Sequence, residues 1–224
     1  MDNTIPHIEL TFQRRPADEM MQRAREMHQF MEKRRSVRQF SDEPVTLELV
    51  EQLVRTASTA PSGAHKQPWT FCLVGDPVLK KRIREAAEVE ERLNYGGRMG
   101  EEWLQDLEPF GTTWQKPYLE VAPWLVVVFK KIYEEDADGR HKNYYVSESV
   151  GLATGFFLAA AHHAGLAALV HTPSPMDFLG KILERPANER PFLLIPIGVP
   201  APGATVPDLR RKPLEAVRTT YLEG

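Results

Sequence analysis

The chain has a single cysteine, Cys72, among its 224 residues, so no disulfide can form within it. Cys72 lies in the apolar run Thr70-Phe71-Cys72-Leu73-Val74, where a thiol serves as a small hydrophobe in the core. No apolar run reaches the roughly 18 residues needed to cross a bilayer. Near the N-terminus, Asp2, Glu9, Arg14 and Arg15 interrupt scattered apolar residues, unlike the continuous stretch of a secretory signal. The cytoplasm is the expected location, with no membrane partner. A basic excess is missing too. Lys and Arg number 28 against 31 Asp and Glu, a formal net charge of −3, which argues against a nucleic-acid partner. There is no internal repeat, low-complexity tract or clear domain linker. The apolar fraction of 42% and charged fraction of 26% are those of an ordinary soluble globular protein, long enough for one sizeable core.

Hydrophobic periodicity supplies the elements. Met20, Met21, Ala24, Met27 and Met31 recur at helical spacing and predict a helix over 16–33. Leu49, Val50, Leu53, Val54 and Ala57 predict a second over 46–59, closed by Pro61. Asp76-Pro77 opens a charged helix running through Leu79, Ile83 and Ala87 toward Leu93. Residues 147–166 form the most apolar helix, with Gly151 and Gly155 allowing another helix to approach; His162 and His163 near its end suit the helix dipole better than a metal. Strands are predicted over 71–74, 124–129, 167–170 and 192–199. Helices alternating with few strands indicate an α/β or α+β sheet protein. Beyond Gly198, Pro200, Pro202, Pro207 and Pro213 exclude a helix until about Leu214, and the segment reads as an extended arm suited to wrapping a second subunit.

Three groups of residues carry chemistry. Arg34-Arg35-Ser36-Val37-Arg38 places three guanidiniums and a hydroxyl in five residues, forked donors that suit an organic phosphate. Clusters of this kind are ordinarily solvated surface. A phosphate ligand of a chain with net negative charge must be held by such local arginines. Glu91 and Tyr95 stand four apart on a predicted helix and share a face; a carboxylate and a phenol there could hold an ammonium. Lys116 supplies the complementary cation for a carboxylate, so the three together would read a zwitterionic α-amino acid. Glu88, Glu90, Glu91 and Arg92 would otherwise pass for a solvated charged face. Thr172, between a strand and Pro173, would otherwise be a loop residue.

The pairing of Arg-Arg-Ser-x-Arg with Pro61-Ser62-Gly63-Ala64-His65-Lys66-Gln67-Pro68-Trp69 resembles the FMN-dependent nitroreductase superfamily, and within it the iodotyrosine deiodinase branch. The resemblance covers nearly everything from Phe30 to Leu214. It implies an α+β sandwich with a mixed central sheet flanked by helices, a single domain with an N-terminal helical extension (1–29) and a C-terminal arm (200–224). It also implies a domain-swapped homodimer with FMN at the subunit interface. Arg34, Arg35, Ser36 and Arg211 would serve the FMN phosphate, and Val37 belongs to the same motif. Arg38 would reach the N1/O2 edge of the ring, where negative charge collects on reduction. Pro61, Ser62, Gly63, Val170 and His171 would lie along the flavin, and the Thr172 hydroxyl would bond to flavin N5, opening one-electron chemistry. Glu91, Tyr95 and Lys116 would hold the halotyrosine zwitterion, in the context Asn94-Tyr95-x-x-Arg98-Met99-Gly100, and the Ala64 N–H would help hold its phenolate. The implied activity is reductive dehalogenation of halotyrosines with an external reductant, as in NAD(P)H-linked relatives. A general NAD(P)H-dependent nitroreductase or quinone reductase, or a flavin-binding protein without turnover, are the alternatives. Val170 departs from the Thr of animal members, as do Arg92, Leu93, Gly96 and Gly97 on the surface over the site; these bear on substrate fit more than on flavin binding.

Overall fold

A computed structural model of the chain describes residues 5–222. It divides into two compact units at Arg34/Arg35. The smaller unit is built on helix α1 (Ala17–Glu32), with Asp18 and Glu19 in its first turn, where the helix dipole favours them. The predicted helix is present, but none of its residues is buried, and Met20, Met21 and Met27 are each 54% exposed. The helical spacing of the methionines is therefore real without marking a core.

The larger unit holds, in chain order, α2 (Leu47–Ala57), β1 (Trp69–Val74), α3 (Pro77–Leu93), α4 (Glu101–Leu107), α5 (Tyr118–Val121), β2 (Trp124–Lys131), β3 (Tyr133–Asp136), β4 (Gly139–Lys142), α6 (Val146–His163), β5 (Ala167–Ala168), α7 (Asp177–Ile182) and β6 (Glu189–Gly198). Four strands form a sheet in the order β1-β2-β6-β5, and β3 and β4 make a separate hairpin. Leu125 to Phe129 of β2 are wholly buried because both sheet faces are covered. Val126 and Val128 face α2 and α6 in one core, while Leu125, Val127 and Phe129 face α3, α5 and α7 in the other. Cys72 is half-buried at the margin of the second core, and burial pushes its thiol pKa up. Among the described residues no helix is long and apolar enough to cross a membrane.

The α+β sandwich is as expected, but the sheet is not mixed: every pairing between the named strands is antiparallel. The parallel element is a single bridge, Ser36 to Ala168, at the β5 edge. The strand expected over 167–170 also stops early, at Ala168. Leu169 donates to the Pro196 carbonyl at 3.2 Å, but Pro196 has no N–H to return the bond. Pairing resumes in unchanged register at His171, which exchanges both backbone bonds with Leu194 (2.9 and 3.0 Å). Strand alternation then puts Leu169 and His171 on the α3 side of the sheet. Leu93 is 53% exposed and lies off the buried stripe of α3.

Candidate active site

Helix α3 carries a carboxylate into the interior by its own periodicity. Asp76 caps it, accepting the Leu79 N–H at 2.7 Å, and Pro77 follows in the first turn. From there Ile83, Ala87 and Glu91 recur every four residues on the buried face. Burial raises the Glu91 pKa, and the neighbouring Lys116 ammonium opposes that rise. Lys116 is buried as well: its Nζ stands 3.4 Å from Glu91 Oε2 and donates to the Thr113 carbonyl at 2.6 Å. Burial lowers the Lys116 pKa, and Glu91 opposes the fall. Each charge thus opposes the neutralisation that burial favours in the other.

Beyond α3 the helix widens to a π turn over Asn94–Arg98, with Gly97 at a φ of 114° that suits glycine. Tyr95 lies in this turn; its hydroxyl is 2.7 Å from Thr112 Oγ1 and its ring meets Trp103 edge-on at 5.5 Å. Lys116 Nζ is 5.2 Å from the same ring. Arg98 ties the turn to the loop after Thr172, donating to Asn94 Oδ1 and to the Ser174 carbonyl, both at 2.7 Å.

The sheet supplies the opposite wall. His171 Nε2 is 3.7 Å from Glu91 Oε1, too far for a hydrogen bond, and although buried it has no hydrogen-bond partner among the described residues. Tyr118 packs edge-on against the imidazole at 5.9 Å. Burial, with the positive charges of Lys116 and Arg38 behind it, lowers the His171 pKa to about 3, so the ring is neutral at ordinary pH. Thr172 is exposed at the rim, and among the described residues its hydroxyl has no partner.

These side chains enclose a cavity of about 220 Å³, lined by Arg38, Glu91, Tyr95, Lys116, His171 and Thr172 together with Trp103, Leu107, Thr112 and Tyr118. The structure thus unites Arg38, Glu91, Tyr95, Lys116, Val170, His171 and Thr172, which the sequence offered from four segments. Charged groups on the wall are Arg38 and Lys116 against Glu91, a net positive lining suited to an anionic ligand. Trp103, Leu107, Thr112 and Tyr118 were not anticipated. Pairing of Tyr95 with Thr112 carried no sequence signal, whereas Trp103 and Leu107 share a face of α4 at four-residue spacing.

The donor set fits FMN. Val37 donates to the Ala168 carbonyl at 3.2 Å, which lays the extended segment from Ser36 along the β5 edge and aims Arg38 at the cavity. Arg35 donates to the Pro207 carbonyl, bringing it beside the stretch that continues to the exposed Arg211. The Arg35 and Arg38 guanidiniums with the hydroxyls of Ser36 and Thr172 are the donors that a phosphate and a polar ring edge require. Arg34 belongs to the smaller unit, where its N–H bonds to the Met31 carbonyl at 3.1 Å.

Pro61, Ser62, Gly63 and Ala64 do not line this cavity. They turn against the start of α6 instead, with Gly63 so close that a Cβ there would meet the Tyr144 carbonyl oxygen at 2.9 Å. Ala64 holds a φ of 48°, a left-handed conformation costly for alanine. Among the described residues no group of three or more His, Cys, Asp or Glu could hold a metal ion.

The model of the nitroreductase family matches residues 31–199. The chain belongs to that family. Within it, the chain is 60% identical over 218 residues to the iodotyrosine deiodinase of Haliscomenobacter hydrossis, covering 97% of each. It is 44% identical over 221 residues to human iodotyrosine deiodinase 1, covering 98% of this chain and 76% of that one. The fold matches a crystal structure of oxidized iodotyrosine deiodinase bound to FMN and 3-iodo-L-tyrosine with a TM-score of 0.73, at 32% identity, over 88% of this chain and 100% of the other. The chain is thus a nitroreductase-family member of the iodotyrosine deiodinase branch.

Proposed function

We propose that this chain is an FMN-dependent oxidoreductase that removes halide reductively from halotyrosines. The observation that carries the reading is the buried Glu91–Lys116 pair on the wall of a cavity that Arg38 and Thr172 also line. A general reductase of nitroaromatics or quinones has no use for a carboxylate and an ammonium presented side by side. A zwitterionic amino acid does: its ammonium takes Glu91, its carboxylate takes Lys116, and one ion pair is exchanged for two. Tyr95 adds a phenol at the same end.

Bound FMN supplies two electrons, which an external reductant restores. The overall step replaces a carbon–halogen bond by carbon–hydrogen, consuming two electrons and one proton as the halide leaves with the bonding pair. Arg35, Ser36 and Arg211 are assigned to the FMN phosphate. Arg38 is the fixed cation at the ring edge where negative charge collects, and Thr172 is the donor toward N5. Tyr95, Trp103 and Leu107 line the same cavity, and beside a bound ligand they would shield it from water and strengthen the ion pairs that orient the ring.

The reading includes a homodimer. Pro61 to Ala64 lie outside the cavity of their own chain, so a contribution from them to flavin or phenolate comes from a second copy. Leu152 and Phe156 of α6 are 49% and 41% exposed, an apolar face of the kind that subunits cover, and residues 208–222 lie exposed. Titrating the yellow protein with 3-iodotyrosine, tyrosine and a nitroaromatic tests the function. Selective quenching of flavin fluorescence by the iodinated amino acid, with iodide released on reduction, is expected. Indifference to the amino-acid group would overturn it.

A further inference from the structure

Four charged residues on one face of α3, Lys80, Arg84, Glu88 and Glu91, are spaced by about one turn each, and every one of them grips the segment 116–122. Lys80 Nζ donates to the carbonyls of Glu120 (2.9 Å) and Ala122 (2.8 Å). Arg84 binds the Glu120 carboxylate through Nε and Glu88 Oε2 through Nη1 at 2.6 Å. Glu88 Oε1 accepts the backbone N–H of Lys116 at 2.7 Å. Glu91 faces the Lys116 ammonium. The residue that offers its ammonium to the cavity thus has its amide fixed from behind by a carboxylate, and that carboxylate is held by an arginine.

We infer that Glu88 is a positioning residue for amino-acid recognition: braced by Arg84, it fixes the Lys116 main chain so that the ammonium points at the ligand carboxylate. The inference rests on the zwitterion reading of Glu91 and Lys116. Glu88 does not line the cavity around Glu91. It lines a separate hollow of about 360 Å³ with Arg84, Gln115 and Glu120, and reaches the cavity only through Lys116, whose amide it holds and whose side chain lines that cavity. A lysine side chain has four rotatable bonds, and a freely moving main chain beneath it would spread the ammonium over many positions. A charge-assisted hydrogen bond to its own amide removes that freedom before the ligand arrives. Glu88 therefore acts on affinity for the amino-acid end and not on the ring or the flavin.

The test measures dissociation constants by flavin quenching in the FMN-loaded protein, for 3-iodotyrosine and for 2-iodophenol, which lacks the amino-acid group. Glu88→Ala is expected to weaken iodotyrosine roughly tenfold, the scale of one such hydrogen bond, and to leave iodophenol within about twofold. Glu88→Gln keeps an acceptor for the Lys116 N–H and is expected to recover most of the loss. Adding Glu88→Ala to Lys116→Met should cost nothing further, because the two act through one group. If Glu88→Ala does not fold, the Gln variant and Arg84→Met, which loosens the brace, carry the same comparison. Equal weakening of both ligands, or full additivity with Lys116→Met, overturns the positioning role. If Lys116→Met itself weakens both ligands equally, the zwitterion reading falls instead, so the two failures are distinguishable.

Discussion

Glu91 and Lys116 stand 3.4 Å apart with side chains only 7% and 6% exposed, and among the described residues no other carboxylate lines their cavity. Two desolvated charges facing each other contribute little net stability, since the cost of removing both from water offsets their attraction. In the proposed function their value is in what they exchange for a ligand. Glu91→Gln is expected to cost roughly 1.5–3 kcal/mol in halotyrosine binding, the scale of one charged hydrogen bond, and almost nothing for a halophenol. Calorimetric titration with the two ligands checks this, and equal losses would favour a general reductase.

The same pair sets a stability prediction. Glu91→Leu leaves a buried ammonium without its counter-charge and is expected to destabilise the fold by about 3 kcal/mol or more. Adding Lys116→Leu removes the stranded charge and should restore most of the loss, while abolishing discrimination between halotyrosine and halophenol. Urea unfolding of the single and double variants measures both terms of the comparison. A double variant no more stable than Glu91→Leu would mean that the pair also holds the fold.

Much of this site was legible in the sequence, for local reasons. Asp76-Pro77 marks the start of α3, and the stripe Ile83, Ala87, Glu91 carries the carboxylate inward as periodicity demands. What was not legible depends on partners far along the chain. The strand at Ala167 is cut short by Pro196, which lies opposite it only once β6 is in place. His171 meets Glu91 from a segment 80 positions later, and no local pattern announces that. The α1 methionines have the spacing of a core stripe and are exposed, because periodicity reports amphipathicity and not what covers it. The β3–β4 hairpin was overlooked despite Asp138-Gly139, a turn signature that charged flanking residues obscured.

His171 gives a pH dependence with a definite sign. Its pKa is lowered by burial to about 3, so between there and the ordinary histidine value of 6.5 the unfolded chain holds a proton that the folded chain does not. Its contribution is constant above that window and turns against folding as pH falls through it, by up to roughly 1.4 kcal/mol per pH unit. Glu91 faces the ring, with Lys116, Arg38 and Tyr118 around it, and the raised Glu91 pKa works in the opposite direction over the carboxylate range. The difference between wild type and His171→Gln isolates the imidazole. Between pH 7 and 5 the wild type should lose about 2 kcal/mol more than the variant by urea unfolding at fixed FMN concentration. Parallel curves would mean that the ring takes up its proton inside the fold.

Assembly and flavin binding should fail together. Leu152 and Phe156 are exposed on α6, so Leu152→Glu with Phe156→Glu leaves the core of one chain intact. In a dimer that covers this face, the double variant becomes a monomer and loses FMN, because Pro61 to Ala64 no longer reach a neighbour's site. Arg38→Ala is expected to keep the dimer and weaken FMN by tenfold or more, as loss of a charged hydrogen bond does. Sedimentation and flavin absorbance on the same samples report both. A colourless dimer or a yellow monomer from the α6 variant would separate assembly from the site.

Thr172 is expected to decide which chemistry the site favours. Its side chain is exposed at the rim and, among the described residues, holds no other group, so Thr172→Ala should alter stability by no more than about 0.5 kcal/mol. Any change in activity then reports on the flavin and not on the fold. A hydroxyl at N5 favours transfer of electrons one at a time, which removal of halide from an aromatic ring requires; reduction of a nitro group can proceed by hydride transfer without it. Thr172→Ala should therefore lower dehalogenation while sparing or raising nitroaromatic reduction, and Thr172→Ser, which keeps the hydroxyl and loses only a methyl, should largely restore the first. The measurement is the ratio of iodide release to nitro reduction for the three proteins under the same reductant. Because a damaged flavin site would depress both rates together, only a shift in that ratio identifies the hydroxyl as the selector, and an unchanged ratio in the alanine variant would reduce Thr172 to a loop residue.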